Sequence, residues 1–319
     1  MFTAQWFRFG GQRCSLLNAA LVAQVKMIVQ RYKLSFNSRE WFYSFRELQE
    51  VCDDARCTKV SGDILKKYAK LTKCWNEELN SEWTCRSYFA TKMILNATVL
   101  LMNAAYAEEK NLRVVKPYLH YYAVLSLLRC IVYTLPEQQW DDGKLIQISH
   151  TKAINLAMDW LGKFNQEKAK EVKHACSLLK AQREIISYRA PASGDENLSE
   201  DYDIVAICTL LAEIAQFNSV LRESSIDKNA SPDTFVVDWK DMDKIISVEI
   251  EGFEFIDRYD AMRLSYNRRK TKRPYNLVCF MTEGQIDDFF GAWDDSEDPD
   301  NEEVFNTGNA GSSLIFDIP

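Results

Sequence analysis

Hydrophobic and polar positions along this chain recur with a helical period over most of its length. From Leu16 to Tyr32 apolar residues fall at 17, 20, 21, 25, 28 and 29, a 3.6-residue stripe. The stretch Ser35 to Phe45 is dense in aromatic residues and reads as a plug against the main body. Ile64 to Trp75 is a shorter, basic, amphipathic helix. Arg86 to Ala107 then gathers Tyr88, Phe89, Met93, Ile94, Ala97, Leu100, Leu101, Ala104 and Ala105 on one broad face.

Lys116-Pro117 opens the next helix, because proline suits a first-turn position where its missing N–H costs nothing. That helix, Tyr118 to Leu135, is apolar on most sides and is predicted to be buried centrally. A polar loop containing Asp141-Asp142-Gly143 leads to a helix over Thr151 to Phe164. Glu167 to Tyr188 is charged, with Val172, Cys176, Leu179, Ile185 and Ile186 facing inward. The run Ala190-Pro191-Ala192-Ser193-Gly194-Asp195 breaks it. Ser199 or Asp201 can cap the following helix, which reaches about Arg222. After Ser224 the texture changes. Phe235 to Val237, Ile245 to Ile250 and Asn276 to Met281 have strand-like composition. The expected fold is therefore mainly α, with an N-terminal helical region over 1–85, a helical bundle over 86–224 and a small α/β appendage over 225–290. The stretch 291–319 reads as an acidic, flexible tail whose apolar end, from Ser313, can dock back or engage a partner.

Charge sharpens this picture. The 319 residues hold 39 Lys and Arg against 46 Asp and Glu, a formal charge of −7. Thr271 to Pro319 carries 2 basic and 11 acidic residues, so residues 1–270, with 37 and 35, are nearly neutral. The mean charge consequently does not exclude a polyanionic ligand from the bundle. The nine cysteines include no CxxC pair, and no His lies within sixty residues of Cys52-x4-Cys57. They read as reduced, buried thiols, and neither a metal nor a cofactor is expected. Phosphate-loop, dinucleotide-binding, zinc-protease and nucleophile-elbow motifs are absent from the sequence. No unbroken apolar run approaches the roughly 20 residues of a membrane span, so no membrane partner is expected. The expected location is cytoplasmic.

Two segments carry a family resemblance. Lys116-Pro-Tyr-Leu-His-Tyr-Tyr-Ala-Val-Leu-Ser-Leu-Leu-Arg129, followed by Ser149-His150, resembles the "YY…R…SH" segment of HEPN domains. Leu179-Lys-Ala-Gln-Arg-Glu-Ile-Ile-Ser-Tyr-Arg189 is similar to that fold's "R…ADYR" segment. The KP-x3-YY element looks closest to the YaaC-like bacterial proteins. The resemblance covers about residues 86–223 and implies a helical bundle, a homodimer and a role in bacterial defence or toxin systems. The bundle would serve either as a non-catalytic scaffold or as an RNA- or nucleotide-binding effector. It also implies, as an alternative, a metal-independent RNase in which His moves a proton and Arg steadies the phosphate. The family's nuclease pair is an Arg followed four to six residues later by a His. Arg189 stands at the Arg position, but Ala190 to Ser199 contains no His.

The candidate residues follow. Arg189 and His150 are the catalytic candidates, with His150 at a loop-to-helix junction. Arg189, at a helix end, either caps that helix or binds phosphate. Arg129, Tyr121 and Tyr122 are candidates for binding. Arg129, amid an apolar helix, must either meet a carboxylate such as Glu184 or Asp195 or face a ligand cleft. Adjacent tyrosines point about 100° apart, so one can join the core while the other reaches a seam. Arg263, Arg268, Arg269, Lys270, Lys272 and Arg273 form a basic loop beside Tyr266 and Tyr275. That loop suits single-stranded RNA or else pairs with the acidic tail, which is itself a candidate surface for a protein partner.

Overall fold

In a computed structural model the described residues are 43–194, 202–295, 297, 298, 301, 303–307 and 313–316. The helix predicted over Leu16 to Tyr32 and most of the aromatic stretch lie outside them. Ten α-helices and one hairpin appear among the described residues, and Phe45–Pro319 forms one compact unit. In chain order they are α1 (Arg46–Val51), α2 (Asp54–Thr72), α3 (Glu77–Glu109), α4 (Lys116–Tyr133), α5 (His150–Phe164), α6 (Gln166–Arg189), α7 (Ile204–Asn229) and α8 (Trp239–Ile246). The strands β1 (Ser247–Ile250) and β2 (Phe253–Ile256) follow, then α9 (Arg258–Lys270) and α10 (Glu283–Gly291). The mainly α class holds, with a small appendage at its C-terminal side.

The helix starts follow side-chain chemistry. Asp53, Asn76, Ser149, Asn165 and Asp203 each accept a hydrogen bond from a first-turn N–H of α2, α3, α5, α6 and α7. Thr282 and Gln285 make a reciprocal capping box at α10. The cap of α7 is thus Asp203, not Ser199 or Asp201. The cap at Asn76 starts α3 nine residues before the predicted Arg86, and the helix runs unbroken across residues 85 and 86.

α3 and α4 form the most extensive helix pair, and α7 packs against α2 and α4. α7 is apolar enough to cross a membrane, but most of that apolar stretch is buried inside the bundle. Arg86 of α3 is also buried. Its guanidinium donates to the carbonyls of Tyr133, Leu135 and Gln138 at 2.7–2.9 Å and to Glu82 at 2.9 Å, and lies 3.6 Å from the Trp83 ring. These bonds satisfy carbonyls left open where α4 ends. α6 leaves the core at its C-terminal end: Val172, Cys176 and Leu179 are buried as predicted, whereas Ile185 and Tyr188 are exposed.

The appendage departs from its predicted strands. Phe235–Val237 and Asn276–Met281 are not strands, because helix side chains meet their backbone in place of a sheet. Asn80 donates to the carbonyl of Val236 at 2.8 Å, while Ser219 and Gln216 accept from the N–H groups of Leu277 and Val278 at 3.1 Å. The sole sheet among the described residues is the β1–β2 hairpin, with Val248 opposite Phe255 and Ile250 opposite Phe253. In the acidic stretch, Asp295 N–H donates to Asn306 at 2.7 Å, Tyr106 donates to the carbonyl of Glu303 at 2.6 Å, and Ile315 and Phe316 are buried. Cys52, Cys57, Cys85, Cys130, Cys176 and Cys208 are buried free thiols, whereas Cys74 and Cys279 are exposed.

Candidate functional site

The sequence-predicted residues divide into a group that converges and a group that does not. His150 is the first residue of α5, placed there by the Ser149 cap. Its Nδ1 lies 2.9 Å from the hydroxyl of Tyr121 on α4. Tyr121 and Tyr122 meet edge to face at 5.2 Å, and the Tyr122 ring stands 6.3 Å from the imidazole. Tyr121 is buried and Tyr122 is exposed, as their 100° offset on α4 requires. Arg129, two turns further along α4, donates to the carbonyl of Ile148 at 3.3 Å. That carbonyl, not a carboxylate, is its partner. Glu184 instead faces Arg183 at 3.3 Å and Lys180 at 3.7 Å, so the predicted Arg129–Glu184 pair does not form. Asp195 lies outside the described residues.

Arg183 of α6 completes the cluster. Its Nη1 donates to the Tyr122 hydroxyl at 3.2 Å, and its guanidinium sits 5.0 Å over the Tyr121 ring. Arg183 lies in the Leu179 to Arg189 segment that carries the family resemblance, six residues before Arg189. The separating signal is spacing: Arg183 and Leu179 lie one turn apart on the face that packs, whereas Arg189 falls beyond the point where α6 leaves the core. Arg189 is exposed and makes no hydrogen bond or ion pair among the described residues. It does not join His150.

The electrostatics follow from this geometry. Partial burial, reinforced by the positive charges of Arg129, Arg183 and Lys180, pushes the His150 pKa below its ordinary value. The imidazole is therefore neutral at pH 7, with one nitrogen on Tyr121 and cations around it. Burial raises the Tyr121 pKa, against the pull of Arg183, so its hydroxyl keeps its proton. A neutral His–Tyr pair among three cations suits an anion, and in the tautomer whose Nδ1–H donates to the Tyr121 oxygen the other ring nitrogen is a base open to a proton.

The remaining expectations separate from this cluster. Arg263 to Lys270 lie within α9, so most of the predicted basic loop is helix. Arg268 Nε donates to the carbonyl of Val237 at 3.1 Å, Arg269 Nε to Ser265 at 3.1 Å, and Arg263 is buried 4.0 Å from Asp260. Arg273 pairs with Asp227 at 2.6 Å and Glu223 at 3.5 Å, both on α7, and stacks near Tyr275. The carboxylates that meet Arg273 belong to the bundle and not to the acidic tail. Lys270 and Lys272 are exposed.

A groove of about 900 Å³ between α3, the 142–147 loop and the hairpin also holds charges. Its cations are each paired with a carboxylate, while Asp243, Glu249 and Glu254 make no ion pair among the described residues. Lys92 meets Asp260 and Asp257, Tyr88 donates to Asp260 at 2.6 Å, and Lys244 meets Asp142 at 3.3 Å. They clamp the appendage to α3 and the loop. No group of three or more His, Cys, Asp or Glu is arranged to hold a metal among the described residues. Comparison with family models, curated proteins and solved structures finds no match to this chain.

Proposed function

We propose that this is a HEPN-like, YaaC-like helical-bundle protein that binds the phosphate of RNA or of a nucleotide at the His150 cluster. The observation that carries the reading is the convergence of Arg129, Arg183 and Lys180 on a neutral His150 bonded to Tyr121. A phosphate there gains charge-assisted hydrogen bonds from guanidinium groups. The exposed Tyr122 offers a ring edge for a base or ribose. The same resemblance brings a homodimer, a cytoplasmic setting and a place in bacterial defence or toxin systems. A protein partner at the acidic tail would then link such an effector to its regulator.

Binding of a fluorescein-labelled RNA 20-mer and of ADP, followed by anisotropy and by competition, tests the proposal. Arg183→Ala and Arg129→Ala should each weaken binding about tenfold, the scale of one charged hydrogen bond. Arg189→Ala should leave it unchanged. Equal affinities in all four proteins would reject the site.

The neutral imidazole favours a second reading, a metal-independent RNase. His150 would take the 2′-hydroxyl proton, the 2′-oxygen would attack phosphorus, the P–O5′ bond would break with the 5′-oxygen taking a proton from water, and a 2′,3′-cyclic phosphate would result. Arg183 would take the phosphate-steadying role that the resemblance gives to Arg189. Cleavage of total RNA in EDTA, abolished by His150→Ala and kept in Arg189→Ala, is the expected result. Absence of cleavage leaves the binding reading alone.

A further inference from the structure

α2 places Lys59, Lys66, Lys67 and Lys70 three, ten, eleven and fourteen residues after Arg56, which puts the five along one face. With Lys163 at the end of α5 they line a groove of about 550 Å³, where Asp63 is the one carboxylate among the lining residues. The stripe from Arg56 to Lys70 is about 21 Å long at the helical rise of ~1.5 Å per residue. Its floor is Val60 and Ile64, both buried.

The cations here are crowded. Lys163 Nζ and Lys67 Nζ approach the same Trp160 ring, at 3.4 Å and 5.1 Å from its centroid. Partial burial and the neighbouring Lys67 push the Lys163 pKa down to about 8. Lys67 meets Glu137, and Lys66 meets Asp63 at 3.0 Å. Lys59 and Lys70 make no ion pair among the described residues. This is an excess of positive charge with rigid spacing on a protein of net −7.

We propose that this groove is a second contact surface, which holds the phosphate backbone of a polynucleotide along α2 irrespective of base sequence. It deepens the RNA reading above and rests on it for the class of ligand. A straight cationic row matches a row of phosphates, and lysines act there as point charges that need no bidentate geometry. An anionic membrane is the other polyanion of this length. The groove lacks the exposed apolar side chains that anchor a surface helix, since Val60 and Ile64 are buried, so the polynucleotide is favoured.

The test uses the full chain and a labelled RNA 20-mer, titrated at several salt concentrations. The triple substitution Lys59→Gln, Lys66→Gln, Lys70→Gln should weaken binding at least tenfold at 0.1 M salt. It should also lower the slope of log K against log salt by about 2, the loss of three phosphate contacts on a single strand. The substitutions are on the surface, and an unchanged melting temperature confirms that the variant folds. Weaker binding by Arg183→Ala with no change in the triple variant would overturn this inference and leave the His150 site standing. Absence of RNA binding by the wild type would overturn both. Binding to phosphatidylserine vesicles without binding to RNA would reassign the stripe to a membrane surface and overturn the proposal.

Discussion

α7 and α2 pack against each other and treat their charged residues in opposite ways. α7 is buried on nearly every side until its last turn, and its charges up to Glu223 bond to groups inside the fold. Glu213 accepts from Leu48 N–H at 2.7 Å, Arg222 donates to the carbonyl of Tyr275, and Glu223 with Asp227 meets Arg273. α2 is amphipathic, with Cys57, Val60, Ile64 and Tyr68 inside and its cations along a groove. Charges of the first kind hold the fold, and removing one strands its partner away from water. Charges of the second kind sit at the surface, where a pair such as Lys66–Asp63 is weak, so they cost the fold little to lose. A count of basic residues along the sequence does not separate the two. In the denser cluster, 263–273, the arginines are tied to carbonyls and carboxylates of the fold, whereas over 56–70 Lys59 and Lys70 make no ion pair among the described residues and Lys66 meets only the exposed Asp63.

The largest expected effect comes from Glu213. Burial raises its pKa to about 7, above the ordinary carboxylate value, although backbone N–H groups of α1 pull the other way. Between pH 4.5 and 7 the folded state binds the extra proton, so this group's stabilisation is complete below that window and is lost as pH rises through 7. The shift corresponds to about 3 kcal/mol. Urea unfolding at pH 5 and pH 7.5 should show that loss in the wild type and a flatter profile in Glu213→Gln. Parallel profiles would mean that Glu213 is not isolated from water.

Arg273→Ala comes next. It leaves the partly buried Glu223 without its guanidinium and should cost about 2 kcal/mol, with a fall of roughly 4–8 °C in Tm. Arg273→Lys should recover less than half, because an ammonium cannot reproduce the planar stacking on Tyr275. Full rescue by lysine would reduce the contact to simple charge.

Lys163 gives a smaller effect of the opposite pH sense. Its lowered pKa means that the folded state sheds the proton first, so stability rises as pH climbs from about 8 to 10.4. Solvent screening reduces this gain to about 1 kcal/mol. Lys163→Met should lack it, as read from the difference between variant and wild-type unfolding curves. The smallest effect belongs to the triple glutamine variant of α2, whose folding stability should change by no more than about 0.5 kcal/mol in total. A loss comparable to that of Arg273→Ala would place the stripe with the structural charges and erase the contrast between the helices.

Much of the architecture was legible because helical periodicity is local. The stripes of α4 and α5, the proline at the start of α4 and the break after Arg189 all appear in the residue pattern. α3 was read short because its first two turns, Glu77 to Cys85, mix polar and apolar residues that bury against several elements at once. The appendage was misread for a related reason. Asn276 to Met281 has the composition of a strand, but its N–H groups found Gln216 and Ser219 before any neighbouring strand. The site was half legible. His150, Tyr121, Tyr122 and Arg129 follow from residue type and helix position, while the exchange of Arg189 for Arg183 depends on where α6 departs from the core.

The sequence by itself determined the class of the fold, the order of the helices between residues 86 and 222, and the near-neutral charge of everything before residue 271. These depend on periodicity, capping and composition, which act over a few residues. Only the tertiary structure decided which cations are available. Arg129 meets a carbonyl 19 positions away, Arg222 one 53 away and Arg56 one 107 away, and no local pattern encodes such distances. The same separation bears on His150, since its partial burial and, after it, the charges of Arg129, Arg183 and Lys180 that lower its pKa come from α4 and α6, two helices brought together by packing.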